Sequence, residues 1–143
     1  FWLPCATTSD MQWLYHIAYL CFMVVHTGLI LFNLSGWAWK PLRKANLGVL
    51  LLTGLSWTVL GIWHGLGYCP LTDWHFEILE RRGFTELPVS YIQFLVHRLS
   101  GFDPGRQVSD AATAGGFLIS LLISLILNIR DWLGRRIRKQ ASA

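Results

Sequence analysis

Histidine and cysteine are the residues with the widest chemical scope in this chain, and it has five of the first and three of the second. His16 and His26 fall in the first apolar run, and His64 falls near the far end of the second. Two antiparallel helices would bring His16 and His64 to similar depth. Paired imidazoles across a gap wide enough for a macrocycle are what a b-type haem requires. His26, near the middle of its run, could be a lone axial ligand to haem or to the magnesium of a (bacterio)chlorophyll, a proton relay or a quinone contact. Its plainest use is an interhelical hydrogen bond, because an unpaired polar group is costly at that depth. His16 and His26 are ten residues apart, which sets them about 80° apart around a helix and not on one face.

Cys5 and Cys69 both fall on one side of the apolar runs, where a disulfide between them would tie the N-terminal segment to the end of the second run. Cys21 sits inside the first run and reads as a packed apolar residue. A thiolate metal site using His75 is short of ligands, so no metal site is assigned. Asp73, His75 and Glu77 lie close in sequence, and Ser90, His97 and Asp103 can be drawn as a triad. Neither set has the spacing of a nucleophile elbow or a zinc-binding HExxH, and no catalytic residue is assigned.

The elements that must position these groups are three apolar runs, roughly Trp13–Leu34, Leu47–Tyr68 and Ala111–Ile129. A spanning helix needs about 20 mostly apolar residues. The chain has 143 residues, of which 53% are hydrophobic and only 14% charged. After three spans, too little remains for a second core. The fold class expected is all-α integral membrane: a single domain over 1–143, with three transmembrane helices and two short interfacial helices in an outer cap at about 69–109. Trp74–Arg82 is the first of these, capped by Thr72 or Asp73 and stopped by Gly83. Tyr91–Leu99, opened by Pro88 and Ser90 and stopped by Gly101, is the second and is too short to span. Asn46 is expected to cap the second span, and Ser109 or Asp110 the third. Because the sequence opens on Phe1 and not Met, and shows no signal-peptide pattern, a preceding piece is expected.

The net charge of +4 is segregated. Lys40, Arg43 and Lys44 lie between the first two runs, and Arg130, Arg135, Arg136, Arg138 and Lys139 follow the third. The opposite side carries an excess of acid. The positive-inside rule then sets the N-terminus outside and the C-terminus inside a bacterial inner membrane. The basic tail, 130–143, would rest on an anionic inner leaflet, which makes lipid the expected partner of this charge and not nucleic acid. Trp2, Trp13, Trp63 and Trp74 fall at one interface and Trp37, Trp39 and Trp132 at the other, while Trp57 is at mid-depth.

The spans differ in their faces. The first has a polar stripe at intervals of seven: Gln12, Tyr19, His26 and Asn33. The second has Gly54, Gly61 and Gly65, with a GxxxG at its end. The third has Ala112, Gly116, Ser120, Ser124 and Asn128 at intervals of four. Small residues let helices approach closely in lipid. Such faces serve packing within the chain or docking to other membrane subunits.

The stretch Gly67-Tyr68-Cys69-Pro70-Leu71-Thr72-Asp73-Trp74-His75, followed by Arg81, Gly83 and Ser90-Tyr91-Ile92, resembles a bacterial membrane family catalogued as domain of unknown function 2784. Ile30-Leu31-Phe32-Asn33-Leu34-Ser35-Gly36-Trp37 is similar to its Bacteroidetes-type members. The resemblance covers about residues 12–130. It implies two spans, a Gly-x-x-Cys-Pro-Leu-Thr stretch, a short helix and a third span, and it implies no reaction. Trp74-His75-Phe76-Glu77 departs from the shorter acidic pattern of many members. The functional expectation is an accessory transmembrane subunit of a larger membrane complex, of respiratory or photosynthetic electron-transfer type. The alternative is a haem b-binding or chlorophyll-contacting anchor.

Overall fold

Helices in this chain end where glycine or proline interrupts an apolar run. A computed structural model describes residues 8–65 and 67–141. Cys5, and with it the Cys5–Cys69 bridge, lies outside the described residues, as does Trp2. Helix α1 spans Thr8–Ser35, and two 3-10 turns, Gly36–Ala38 and Lys40–Leu42, reverse the chain into α2, Arg43–Leu55. A π-helical turn, Ser56–Leu60, leads into α3, Gly61–His64. Two short helices follow, α4 (Pro70–Arg81) and α5 (Tyr91–Ser100), and then α6, Arg106–Ala141. Three stretches are long and apolar enough to cross a membrane: Met11–Ala38, Lys40–His64 and Arg106–Ala141.

Several boundaries differ from the sequence expectation. The second span ends at His64, four residues early, because Gly65 takes a φ of +99° that side chains avoid. Helix α4 starts at Pro70, whose fixed φ suits a first helical position, and neither Thr72 nor Asp73 caps it. Gly83 and Gly101, at φ +92° and +72°, stop α4 and α5 as expected. Helix α6 starts at Arg106, before Ser109 and Asp110. There Ser109 bonds back to the Gly105 carbonyl from inside the helix. The basic tail is not a separate segment but continues α6. Its 36 residues run about 54 Å, well past the ~30 Å of a bilayer core. Arg138 donates to the Gly134 carbonyl, and Arg136 lies 4.2 Å over the Trp132 ring.

The π-helical turn in the second span has a local cause. Widening the helix frees the Trp57 carbonyl, which accepts from Gly67 N–H at 3.3 Å, while Ser56 Oγ donates to the Tyr68 carbonyl. Trp57 itself packs on Phe117 of α6, with ring centroids 4.8 Å apart.

The interior is mostly polar. Among the described residues, Tyr19, Leu50, Leu79 and Tyr91 are the buried apolar side chains. His26, Asn33, Asn46, His75, Ser109, Ser120 and Ser124 are the buried polar ones. This inversion suits a bundle whose lipid-facing exterior is apolar: polar groups must find partners inside. The α1 stripe is the inward seam, since Tyr19, His26 and Asn33 are the buried described residues of that helix.

Asn46 is not a cap. It lies a full turn inside α2, has no exposed surface, and joins all three long helices. Its Nδ2 donates to the Phe32 carbonyl of α1 at 2.7 Å, and its Oδ1 accepts from Ser124 Oγ of α6 at 2.8 Å. Carbonyls in the last turn of a helix lack intrahelical partners. Here Asn46 serves Phe32, and Trp37 Nε1 serves Leu34 at 2.7 Å. Nearby, Arg43 donates Nε to the Trp37 carbonyl and pairs with Asp131 at 2.9 Å, Asn128 Nδ2 donates to the Arg43 carbonyl, and Asn33 Nδ2 donates to Thr53 Oγ1. We call this the turn end of the bundle, opposite the cap end formed by α4 and α5.

The glycine and serine faces are used within this network. A Cβ on Gly54 would stand 3.2 Å from the Phe117 ring, and one on Gly116 would stand 3.2 Å from Leu34. Gly61, Ser120 and Ser124 are buried. Ala112 is exposed, and the inward face of α6 instead begins at Ser109. Gly65 ends a helix in open space. At the turn, a Cβ on Gly36 would meet Asn46 Nδ2 at 2.9 Å and the Phe32 ring at 3.0 Å. Gly36→Ala is therefore expected to cost about 1–3 kcal/mol through overpacking. Thermal unfolding in mild detergent checks this; wild-type stability would show that the turn can relax.

Candidate functional site

At the cap end, α4 lies along α1 and α5 lies along α6. The face of α4 that meets α1 carries Leu71, His75, Leu79 and Arg82, a helical spacing of four, four and three. His75 is fully buried, and so is Leu79. Five aromatic rings enclose His75: Tyr19 at 5.3 Å, Phe22 at 6.3 Å, Phe76 at 6.1 Å, and Tyr91 and Phe94 at 5.5 Å each. Neither ring nitrogen of His75 has a hydrogen-bond partner among the described residues. Burial lowers its pKa below the ordinary histidine value. A buried polar side chain without partners is uncommon enough to mark this seam.

His26 joins the same seam from α1. Its ring stacks on Tyr91, with centroids 3.9 Å apart, and its Nε2 lies 3.9 Å from Cys69 Sγ. The Tyr91 hydroxyl lies 3.2 Å from Thr27 Oγ1 and donates to the Met23 carbonyl at 3.4 Å. Burial holds the Tyr91 phenol above its ordinary pKa, so it is neutral and acts as a donor. Tyr91 thus fastens α5 to α1 from both sides.

His16 and His64 have separate surroundings. His16 Nδ1 lies 3.1 Å from Arg82 Nη2. A guanidinium only donates, so Nδ1 accepts and the ring proton resides on Nε2. That tautomer has no lone pair to offer a metal at Nε2. His64 is exposed and stacks on Tyr68 at 4.3 Å. The carboxylates of the two acid–base sets have other partners. Asp73 accepts from the Tyr68 hydroxyl at 2.9 Å, which raises the phenol's pKa, and Glu77 pairs with Arg81. Asp103 accepts from Gly105 N–H and Gln93, and both bonds hold its carboxyl below the usual range. His75 has turned away from Asp73 and Glu77 into the rings.

A cleft of about 80 Å³ opens beside this seam. His16, Tyr19, Leu79, Arg82, Phe84, Phe94 and Arg98 line it. The Arg82 guanidinium lies 4.9 Å over Tyr19 and 5.8 Å over Phe84. The two cap helices were expected from the sequence, but the packing of the first on a span was not: Leu71, His75, Leu79 and Arg82 share an amphipathic face, which is the signal that could have found it.

A family model described as a protein of unknown function, DUF2784, matches residues 12–129. The chain belongs to the DUF2784 family. The matched segment takes in most of α1 and α6 and everything between them, including Asn46 and the whole cap, so the seam and the cleft lie within the family's domain. No curated protein and no solved structure matches the chain.

Proposed function

We propose that this DUF2784 chain is an accessory transmembrane subunit of a larger bacterial assembly, and that its cap is the part that meets the partner. The observation that carries this reading is the apolar surface of the cap. Trp74, Phe84, Val89, Leu99 and Phe102 are all exposed, although they lie outside the three long helices. Large apolar side chains left exposed beyond the three long helices call for a cover, either the membrane interface or another protein. The basic residues at the turn end and along the last turns of α6 support an N-out, C-in orientation in the cytoplasmic membrane, with the cap outside. In that orientation the two short helices lie at the outer interface.

Purification in mild detergent, followed by a native mass measurement, tests the reading. A defined partner in fixed stoichiometry is expected, and Leu99→Arg with Phe102→Arg should release it without shifting the thermal unfolding of the isolated chain. A clean monomer from the wild type would overturn it. The same preparation addresses the electron-transfer alternative. A Soret band lost in His64→Ala would favour the haem anchor, and a colourless protein would remove it. Chlorophyll contact would show in the red. The tautomer set by Arg82 on His16 weighs against a His16–His64 pair.

A further inference from the structure

We propose that the cleft between α1, α4 and α5 is a binding site for a phosphate group, carried by a phospholipid headgroup at the rim of the bundle. The inference is independent of the partner reading above. Two guanidiniums, Arg82 and Arg98, line one small cleft. Neither forms an ion pair among the described residues, whereas Arg81, one residue away, pairs with Glu77 and Arg106 pairs with Asp110. Charge left unneutralised on two guanidiniums that line the same cleft calls for an anion, and the fork of a guanidinium matches a tetrahedral oxyanion.

Arg82 is oriented for this task before any ligand arrives. Its guanidinium lies over Tyr19 and Phe84, and Nη2 donates to His16 Nδ1. Its remaining N–H groups are still available, and the His16 Nε2–H adds a neutral donor. Arg98 has no hydrogen bond among the described residues, so its side chain is uncommitted until an anion supplies one. Leu79, Phe84 and Phe94 line the same cleft and give it apolar surface beside the two cations. Cationic and apolar groups in one cleft match the two parts of an amphiphile. The volume, about 80 Å³, suits the phosphate end of a lipid and not a whole molecule. The acyl chains would continue outside the cleft, along the exposed apolar flank of α1, where Trp13, Leu20 and Val24 are solvent-facing in the absence of lipid.

The experiment uses the full chain purified in a phosphate-free maltoside detergent. Thermal unfolding is followed while three probes are titrated: phosphatidylglycerol in mixed micelles, diacylglycerol as its phosphate-free counterpart, and inorganic phosphate. Saturable stabilisation by phosphatidylglycerol and none by diacylglycerol is expected. Arg98→Glu should weaken the phosphatidylglycerol response about tenfold or more, since it replaces a charge-assisted contact with repulsion. Because Arg98 makes no hydrogen bond or ion pair among the described residues, this variant should keep the wild-type fold and unfold close to the wild-type temperature without lipid. Arg82→Gln provides a second reading of the same loss. Equal saturation by inorganic phosphate alone would assign the site to the free anion and overturn the lipid source. An undiminished response to phosphatidylglycerol in Arg98→Glu, or no response in the wild type, would overturn the site itself.

Discussion

Asn46→Leu is expected to destabilise the bundle by about 2–4 kcal/mol, although leucine has the same branched heavy-atom skeleton as asparagine and is at home in lipid. The substitution removes a donor from the Phe32 carbonyl and an acceptor from Ser124 Oγ. Interhelical hydrogen bonds in membranes average about 0.6 kcal/mol and reach about 1.7. Two such bonds set the lower part of the range, and the groups left behind set the rest. Ser124 is fully buried, so its hydroxyl regains no water, and Phe32 O loses its interhelical donor. The matching cycle uses Ser124→Ala. Its loss should overlap that of Asn46→Leu, so that the double variant costs less than the sum. Detergent-based unfolding of the four proteins measures the cycle. Additivity would mean that the Ser124 bond contributes nothing, and a wild-type-like Asn46→Leu would mean that packing alone holds the turn end.

His75→Phe is expected to act in the opposite direction. The ring nitrogens of His75 are buried without partners, and each such group costs about 1–3 kcal/mol. A phenyl ring among five aromatic neighbours removes that cost, so the variant should gain about 1–2 kcal/mol at pH 7.5. The pH profile carries the sign. Burial lowers the folded-state pKa of His75 below its unfolded value of 6.5. Above that pH both states are neutral and the group has no pH effect. Below it the unfolded chain binds a proton that the folded chain refuses, so stability falls as pH drops, by at most about 1.4 kcal/mol per unit from this one group. The fall levels off below the folded-state pKa. Unfolding temperatures between pH 7.5 and 5 should therefore drop in the wild type and drop less in His75→Phe. Equal slopes would assign the titration to other groups. A less stable variant at pH 7.5 would show that the His75 nitrogens have partners in solution.

The three long helices were legible because each needs only local information: some 20 apolar residues and a terminator. The α1 stripe was also legible. Tyr19, His26 and Asn33 recur every seven residues, and a helix two turns on returns to nearly the same face. Asn46 was misread for a physical reason. Asparagine near the start of a helix caps it in most settings, and nothing local distinguishes a capping amide from one that reaches across to Phe32 and Ser124. His75 was given no role from sequence, because Asp73 and Glu77 beside it have no catalytic spacing and nothing local shows which rings it will meet. Both carboxylates instead serve Tyr68 and Arg81, and the histidine lies on the opposite face.

Hydrophobic length and composition determine that the chain has three helices long and apolar enough to cross a membrane, because transfer to lipid depends on the composition of each segment and not on its neighbours. They also determine which residues carry polar groups into the apolar runs. Which of those groups meet is a long-range matter. Tyr91 reaches His26 and Thr27 from more than sixty positions away, and Arg82 reaches His16 and Tyr19 from a similar distance. Those pairings depend on how α4 and α5 fold back over α1, and no periodicity within any one helix encodes that return. The expected histidine site thus became two: a ring-packed seam around His75 and His26, and an open cationic cleft at His16.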